Sequence, residues 1–179
     1  LSFVQQARFF AFKGYSVIVP DMPGHGFSKG EPLKSINDNT NWVCELLVEL
    51  KVQKLVVVGH SQGCLVGLEL NRLYPEFLKG IIFVAGSNEI PVNQFLLDLS
   101  KDDPQKASNM MVTWGHGIDG DMSTNNWPGH SHYGEGNNIM KMNMADALLN
   151  DLNSINNYNS GVEASKKVNI PSLAVLAKN

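Results

Sequence analysis

One serine in this chain sits where its neighbours can make it a nucleophile. Residues 55–70 read LVVVGHSQGCLVGLEL. An apolar run of strand formers stops at Gly59, the polar triplet His60-Ser61-Gln62 follows, and after Gly63 the apolar residues recur at helical spacing. The pattern predicts a strand, a sharp turn and a helix, with Ser61 on the turn. A bend this tight forces its central residue into a strained backbone conformation. Side chains two residues to either side are expected to collide, which accounts for both Gly59 and Gly63. The turn lifts the hydroxyl above the carboxyl ends of the strands, where parallel sheets bind ligands. The following helix turns its unpaired amides and the positive end of its dipole to the same place. The Gln62 N–H then points at an oxyanion forming on a substrate carbonyl, and one such donor is worth about 3 kcal/mol of barrier. Attack on an acyl carbon, through a covalent ester intermediate, is the chemistry this arrangement serves. Gly67 is expected to let the helix lie close to the sheet.

The elements that would hold this turn are legible as an alternation. Residues 2–13 have helical spacing (Phe3, Val4, Ala7, Phe10, Ala11), closed by Gly14. Residues 15–21, YSVIVPD, read as a β-branched strand, and the Gly/Pro-rich MPGHGFSKGEP as a loop. A helix is predicted over 37–51, entered through Asn37 and Asp38, with Trp42, Val43, Leu46, Leu47 and Leu50 on one face. The continuous apolar runs at 54–59, 80–86 and 170–177 imply strands buried on both faces, as in a parallel sheet. The helix at 62–73 stops before Pro75. Strands and helices in this order give an α/β fold with a doubly wound, mostly parallel sheet built from βαβ crossovers.

Between 87 and 165 the rhythm breaks. Residues 93–114 and 138–158 are predicted helical, and 115–138, rich in Gly, Asn and His, is predicted loop. The organisation expected is a core over 1–87, a mainly helical cap inserted over 88–165, and a last core strand within 166–179.

These segments resemble the α/β-hydrolase superfamily, in its serine esterase, C–C hydrolase and haloperoxidase-like branch. VIVPDMPGHGFSKG is similar to that family's D-x-x-G-x-G-x-S segment, here Asp21, Gly24, Gly26 and Ser28; VVVGHSQGC is similar to its nucleophile elbow, although Cys64 stands where Gly is commoner; IPSLAVLAKN is similar to the strand leading to the catalytic acid. The resemblance implies that Ser61 is the nucleophile and that the Gln62 amide donates to the oxyanion, while Asp21 and the loop glycines hold a tight loop. An Asp at position 61 would imply dehalogenase or epoxide hydrolase chemistry; Ser61 implies acyl substrates.

A serine needs a base, and the base an orienting acid. By the resemblance the acid and His are expected beyond Asn179, and the second oxyanion donor before Leu1, so the chain reads as a hydrolase lacking both ends. On that reading the isolated residues are expected to fold poorly and to lack activity. The strand that normally lies between 15–20 and 54–58 is also unaccounted for, so these two either pair directly or leave a gap. Two internal substitutes for the triad are weak. The His60 side chain is expected to project away from the hydroxyl and to pack near the pocket, and Glu89 reads as a polar residue at the start of the cap.

The remaining candidates have plainer readings. His116, His130 and His132, with Asp119 and Asp121, contain an H-x-H pair, but the spacing matches no closed zinc motif, and solvated imidazoles on a polar lid loop are preferred. Trp114, Trp127 and the methionines at 110, 111, 140, 142 and 144 are candidates for an apolar pocket, with cap core as the commoner role of such residues. No metal and no cofactor is implied. Cys44 and Cys64 are expected to be small core residues, since two thiols without CxxC spacing make neither a disulfide framework nor a redox motif. They suggest a reducing cytoplasm.

Composition excludes other classes. The 179 residues are 43% hydrophobic and 17% charged, with a net charge of -3. This suits a globular protein and gives no basic footprint for nucleic acid or anionic membranes. No apolar run approaches the roughly 20 residues a bilayer span requires. Residues 1–14 have no signal-peptide pattern, and without a Met at position 1 the natural start is expected upstream. The function expected is a cofactor-independent serine hydrolase cleaving an ester, thioester or related acyl bond of a small, partly apolar molecule. Two alternatives are a hydrolase-fold protein that binds a ligand without turning it over, and an acyltransferase or lyase on the same fold.

Overall fold

The computed structural model of the chain describes residues 2–117 and 131–176. Its elements run α1 (Val4–Phe12), α2 (Ile36–Glu49), β1 (Leu55–His60), α3 (Gln62–Leu73), a 3-10 turn (Pro75–Phe77), β2 (Leu78–Val84), α4 (Gln94–Asp102), α5 (Pro104–His116), α6 (His132–Met140), α7 (Ala147–Asn156), α8 (Gly161–Lys166) and β3 (Ser172–Val175). They fall into two compact units, Leu1–Pro32 with Gln94–Leu149, and Leu33–Asn93 with Asn150–Asn179.

The second unit carries the sheet, ordered β1-β2-β3 and parallel throughout among the described residues. Val56 to His60 pair in register with Gly80 to Val84, and Ile81 to Val84 with Ser172 to Val175. The apolar runs supply the β-branched residues a parallel sheet needs. One face of it is covered. Cys44 and Leu47 of α2, Leu70 of α3, and Leu78 and Ile81 of β2 form a buried cluster, with Val57, Phe77 and Ile170 packed against it. Gly67 does what its position suggests, since a Cβ there would stand 3.3 Å from Val57.

Several expectations are corrected. Residues 15–20 join no strand ladder among the described residues, and Tyr15, Val17, Ile18 and Val19 stay exposed. β-branched residues favour a strand only where a neighbour offers a pairing edge. The sheet is not buried on both faces: Val56 and Val58 are 52% and 57% exposed, and all of β3 is exposed. An apolar run shows what can be buried, not what arrives to cover it.

α2 starts one residue earlier than predicted and is capped by Ser35, whose Oγ accepts the Asp38 N–H at 3.0 Å and donates to Asp38 Oδ2 at 2.7 Å. Its buried stripe is Ile36, Thr40, Cys44 and Leu47, with Leu50 exposed. The helical stretch 93–114 is two helices, broken where Asp103 caps α5 and Pro104 opens it. The expected loop at 115–138 is helical from His132, where the Ser131 Oγ accepts the Gly134 N–H. Two glycines in that turn lower the helix propensity and hide the signal.

In the first unit α4 packs on α5 and α5 on α6. The Gly-rich loop is tied down there too. Asp21 Oδ2 accepts the Phe27 N–H at 3.2 Å, Ser28 Oγ donates to the Asp21 carbonyl at 2.6 Å, and Gly26 N–H donates to Asn143 Oδ1 at 3.1 Å. Asp21 thus holds a tight loop, and Asn143 is an anchor the sequence does not announce. Among the described residues no helix is long and apolar enough to cross a membrane.

The elbow helix is fixed from within the second unit by a buried polar network. Glu69 of α3 is fully buried; Arg72 donates to both its oxygens, through Nε at 2.9 Å to Oε2 and through its terminal nitrogen to Oε1, and Tyr158 Oη donates to Oε2 at 2.9 Å. Burial pushes the Glu69 carboxyl up, but hydrogen bonds from Arg72 and Tyr158 and the Arg72 charge outweigh it and hold the group below its ordinary 4.5. Burial, then the bond to Glu69, pushes the Tyr158 phenol well up. A carboxyl lowered in the folded state adds stability that is complete above its unfolded value and disappears as pH falls through the folded value. The acid limb of the stability curve is therefore expected to begin below about pH 4.5 and to flatten in Glu69→Gln. Tyr158→Phe is expected to cost about 2 kcal/mol in denaturant unfolding at neutral pH.

Candidate active site

Ser61 lies between the end of β1 and the first residue of α3. Its backbone is at φ 51°, ψ -117°, a positive-φ conformation that L side chains rarely adopt. Three hydrogen bonds hold it there. The Ser61 N–H donates to the Val84 carbonyl at 3.1 Å, its carbonyl accepts the Cys64 N–H at 2.9 Å, and the Cys64 thiol donates to the Gly59 carbonyl at 3.1 Å. The hydroxyl is not spent on capping α3, although Ser61 occupies the N-cap position. It is half-buried, at the N-terminal end of a 12-residue helix whose first amides have no partner within the helix.

The two flanking glycines differ. A Cβ on Gly59 would be driven against the Gly63 carbonyl and to 2.8 Å from the Cys64 amide nitrogen. A Cβ on Gly63 would meet nothing within 4 Å. The collision expected at both positions exists only at Gly59, because the bend folds the Gly63 carbonyl back over Gly59 while Gly63's own Cβ direction faces open space.

Two supports escape the sequence. Ala85, just past β2, is, like Ser61 and Lys51, a non-glycine at positive φ, 45°, with its N–H on the Val175 carbonyl at 2.9 Å. Gly86 sits against Cys64, where a Cβ would stand 2.9 Å from the Cys64 Cβ and 3.1 Å from the Ser61 carbonyl. The end of β2 and the elbow are thus fitted to each other. The tripeptide Val84-Ala85-Gly86 hints at this only by its small residues. Cys64 is 1% exposed, and burial pushes its thiol up, so it serves here as a neutral donor rather than a nucleophile. Cys44 is buried and free as well.

The other candidates are placed as follows. His60 ends β1 with an exposed side chain, next to Ser61 in sequence. Gln62 is half-buried, its Nε2 donating to Asp151 Oδ1 of α7 at 3.4 Å. Glu89 is exposed, with its N–H on Ser87 Oγ. Trp114 belongs to the first unit, on α5, and is 56% exposed. Trp127, His130, Asp119 and Asp121 lie outside the described residues. His116 and His132 stack with ring centroids 5.7 Å apart. Among the described residues no group of three or more His, Cys, Asp or Glu side chains is placed to hold a metal ion.

Comparison with known proteins bears on what this geometry serves. A family model described as alpha/beta hydrolase fold matches residues 1–112. A protein of Mycoplasma pneumoniae provisionally named an esterase/lipase is 28% identical over 102 residues, covering 56% of this chain and 36% of that protein. The 2-succinyl-6-hydroxy-2,4-cyclohexadiene-1-carboxylate synthase of Escherichia coli O1:K1 is 32% identical over 76 residues, 42% of this chain and 30% of the synthase. Among solved structures, the esterase EaEST of Exiguobacterium antarcticum superposes with a TM-score of 0.79 at 12% identity, over 96% of this chain and 66% of that one. The chain thus matches about a third of the length of these curated relatives.

Proposed function

Since this chain belongs to the alpha/beta hydrolase fold family, we propose that it supplies the nucleophile of a serine hydrolase acting on an ester, thioester or related acyl bond of a small molecule. The observation that carries this reading is the strained backbone of Ser61, held between the end of β1 and the start of α3 with its hydroxyl unused as a cap. Strain of this kind costs about 1–3 kcal/mol and persists only where surrounding structure enforces it.

In the proposed reaction Ser61 Oγ attacks the acyl carbon while its proton passes to a general base. The carbonyl oxygen becomes an oxyanion on the Gln62 N–H at the start of α3. Collapse of the tetrahedral adduct expels the alcohol or thiol, which takes up the proton, and leaves an acyl ester on Ser61. Water then adds to that ester, and the second collapse releases the acid and restores the serine. The His60 side chain belongs, on this proposal, to the substrate pocket beside the nucleophile.

The test is pre-steady-state. With an activated acyl ester and the intact protein, a burst of alcohol of about one equivalent per site is expected, and mass spectrometry of the quenched protein is expected to show one acyl group on Ser61. Turnover with no acyl-protein, or with the acyl group elsewhere, overturns the mechanism. A second reading, a non-hydrolytic enzyme on the same fold, is favoured by the identity to the synthase. Incorporation of oxygen from labelled water into the acid product separates the two, since only hydrolysis incorporates it.

A further inference from the structure

α3 is strapped along its length by the segment that follows residue 150. At its far end Asn71 Nδ2 donates to the Lys167 carbonyl at 3.2 Å, in its middle Tyr158 Oη donates to Glu69 Oε2 at 2.9 Å, and at its start Gln62 Nε2 donates to Asp151 Oδ1 at 3.4 Å. The first two bonds account for the seating of the helix. The third lies on the residue that follows Ser61, joins groups 89 positions apart, and is the longest of the three. Both of its side chains are only half-buried, so it adds little to folding.

Its position gives it a different use. Gln62 is the first residue of α3, and its own N–H is the proposed oxyanion donor. A glutamine side chain in the first turn can bend back so that its carbonyl oxygen accepts from the unpaired amides there, as side chains do in helix capping. Those amides are the ones an oxyanion needs. A carboxylate can only accept, so Asp151 takes the NH2 end of the Gln62 amide and sets its orientation. Held this way, the Gln62 carbonyl is kept from the helix N-terminus.

We propose that Asp151 is a positioning residue for the Ser61 site, which acts through Gln62 by holding its side-chain amide away from the amides at the start of α3. The proposal rests on the reading of Ser61 as nucleophile. Asp151 touches no reacting atom in this scheme; it keeps a competing acceptor out of the oxyanion position.

The experiment measures the rate of Ser61 phosphonylation by a fluorophosphonate, and kcat and KM on an acyl ester, in the intact protein. Asp151→Ala is expected to lower both the phosphonylation rate and kcat about tenfold, with KM changed less than about twofold. In a Gln62→Ala background, Asp151→Ala is expected to have no further effect, because the group it controls is gone. Equal effects of Asp151→Ala in both backgrounds overturn the proposal in favour of a structural role. Failure of Asp151→Ala to fold overturns it too, since a bond that only orients Gln62 does not carry the fold. If the probe reacts with Ser61→Ala as fast as with the unaltered protein, the reading of Ser61 fails; if labelling needs Ser61 but ignores Asp151, only the present proposal fails.

Discussion

Ser61→Gly is expected to raise stability and abolish activity in a single substitution. At φ 51° and ψ -117° the serine Cβ is held in a region that glycine occupies freely. Relieving it should stabilise the fold by about 1 kcal/mol in denaturant unfolding. Removing the hydroxyl removes the proposed nucleophile, and turnover of an acyl ester should fall by about 10^4-fold or more. Ser61→Ala keeps the Cβ and its strain, so it should lose the same activity with no such gain in stability. The pair separates the cost of the backbone from the work of the hydroxyl. An ordinary surface serine predicts the reverse, with glycine mildly destabilising and no effect on turnover. A gain in stability on removal of a functional group is the signature of strain kept for function.

The second large effect is an asymmetry between two glycines that the sequence presents as equivalent. Gly59→Ala is expected to destabilise by about 2–4 kcal/mol and to lower activity by about 100-fold in whatever protein still folds. The added methyl has only backbone before it, the Gly63 carbonyl and the Cys64 amide, and backbone cannot rotate away as a side chain would. Any relief must come from opening the turn, which moves Ser61. Gly63→Ala meets open space in the first turn of α3, where alanine is the better helix former, and should be neutral or stabilising by up to about 1 kcal/mol. Denaturant unfolding of the two variants side by side checks the contrast; equal losses at both positions contradict the geometry.

The contrast shows where sequence reasoning reaches its limit. The elbow is legible because two periodicities meet at one polar triplet: the strand run ends at Gly59, and the helical pattern starts after Gly63. That locates Ser61 and predicts its strain. It cannot say which glycine is crowded, because crowding depends on the direction in which each Cβ leaves the bend. Residues 15–20 fail for a related reason. Tyr-Ser-Val-Ile-Val has strand propensity, but a strand is a pair, and a propensity names no partner. The same holds for Val56 and Val58, whose apolar character is read easily and whose exposure is not.

Long-range supports are the least legible. Glu69 reads as a polar residue on a helix until Tyr158, 89 positions away, is seen to donate to it. Asp151 and Asn143 carry no local signature, because each acts on a residue about 90 or more positions distant. In contrast Gly67, Pro75 and Gly14 are read correctly, since close approach, helix termination and a positive φ are local demands. Caps fall between these cases. Ser35, Asp103 and Ser131 are the preferred residue types, yet Asn37 and Asp38 suit a cap equally well on paper.

The proposed chemistry requires that the Ser61 hydroxyl be an activated nucleophile. Treating the intact protein with a fluorophosphonate and mapping the adduct by peptide mass spectrometry asks this without knowledge of the substrate. One phosphonyl group per molecule, on Ser61 and absent from Ser61→Ala, is the predicted result. A folded protein that takes up no probe at Ser61, or that labels equally after Ser61→Ala, contradicts it.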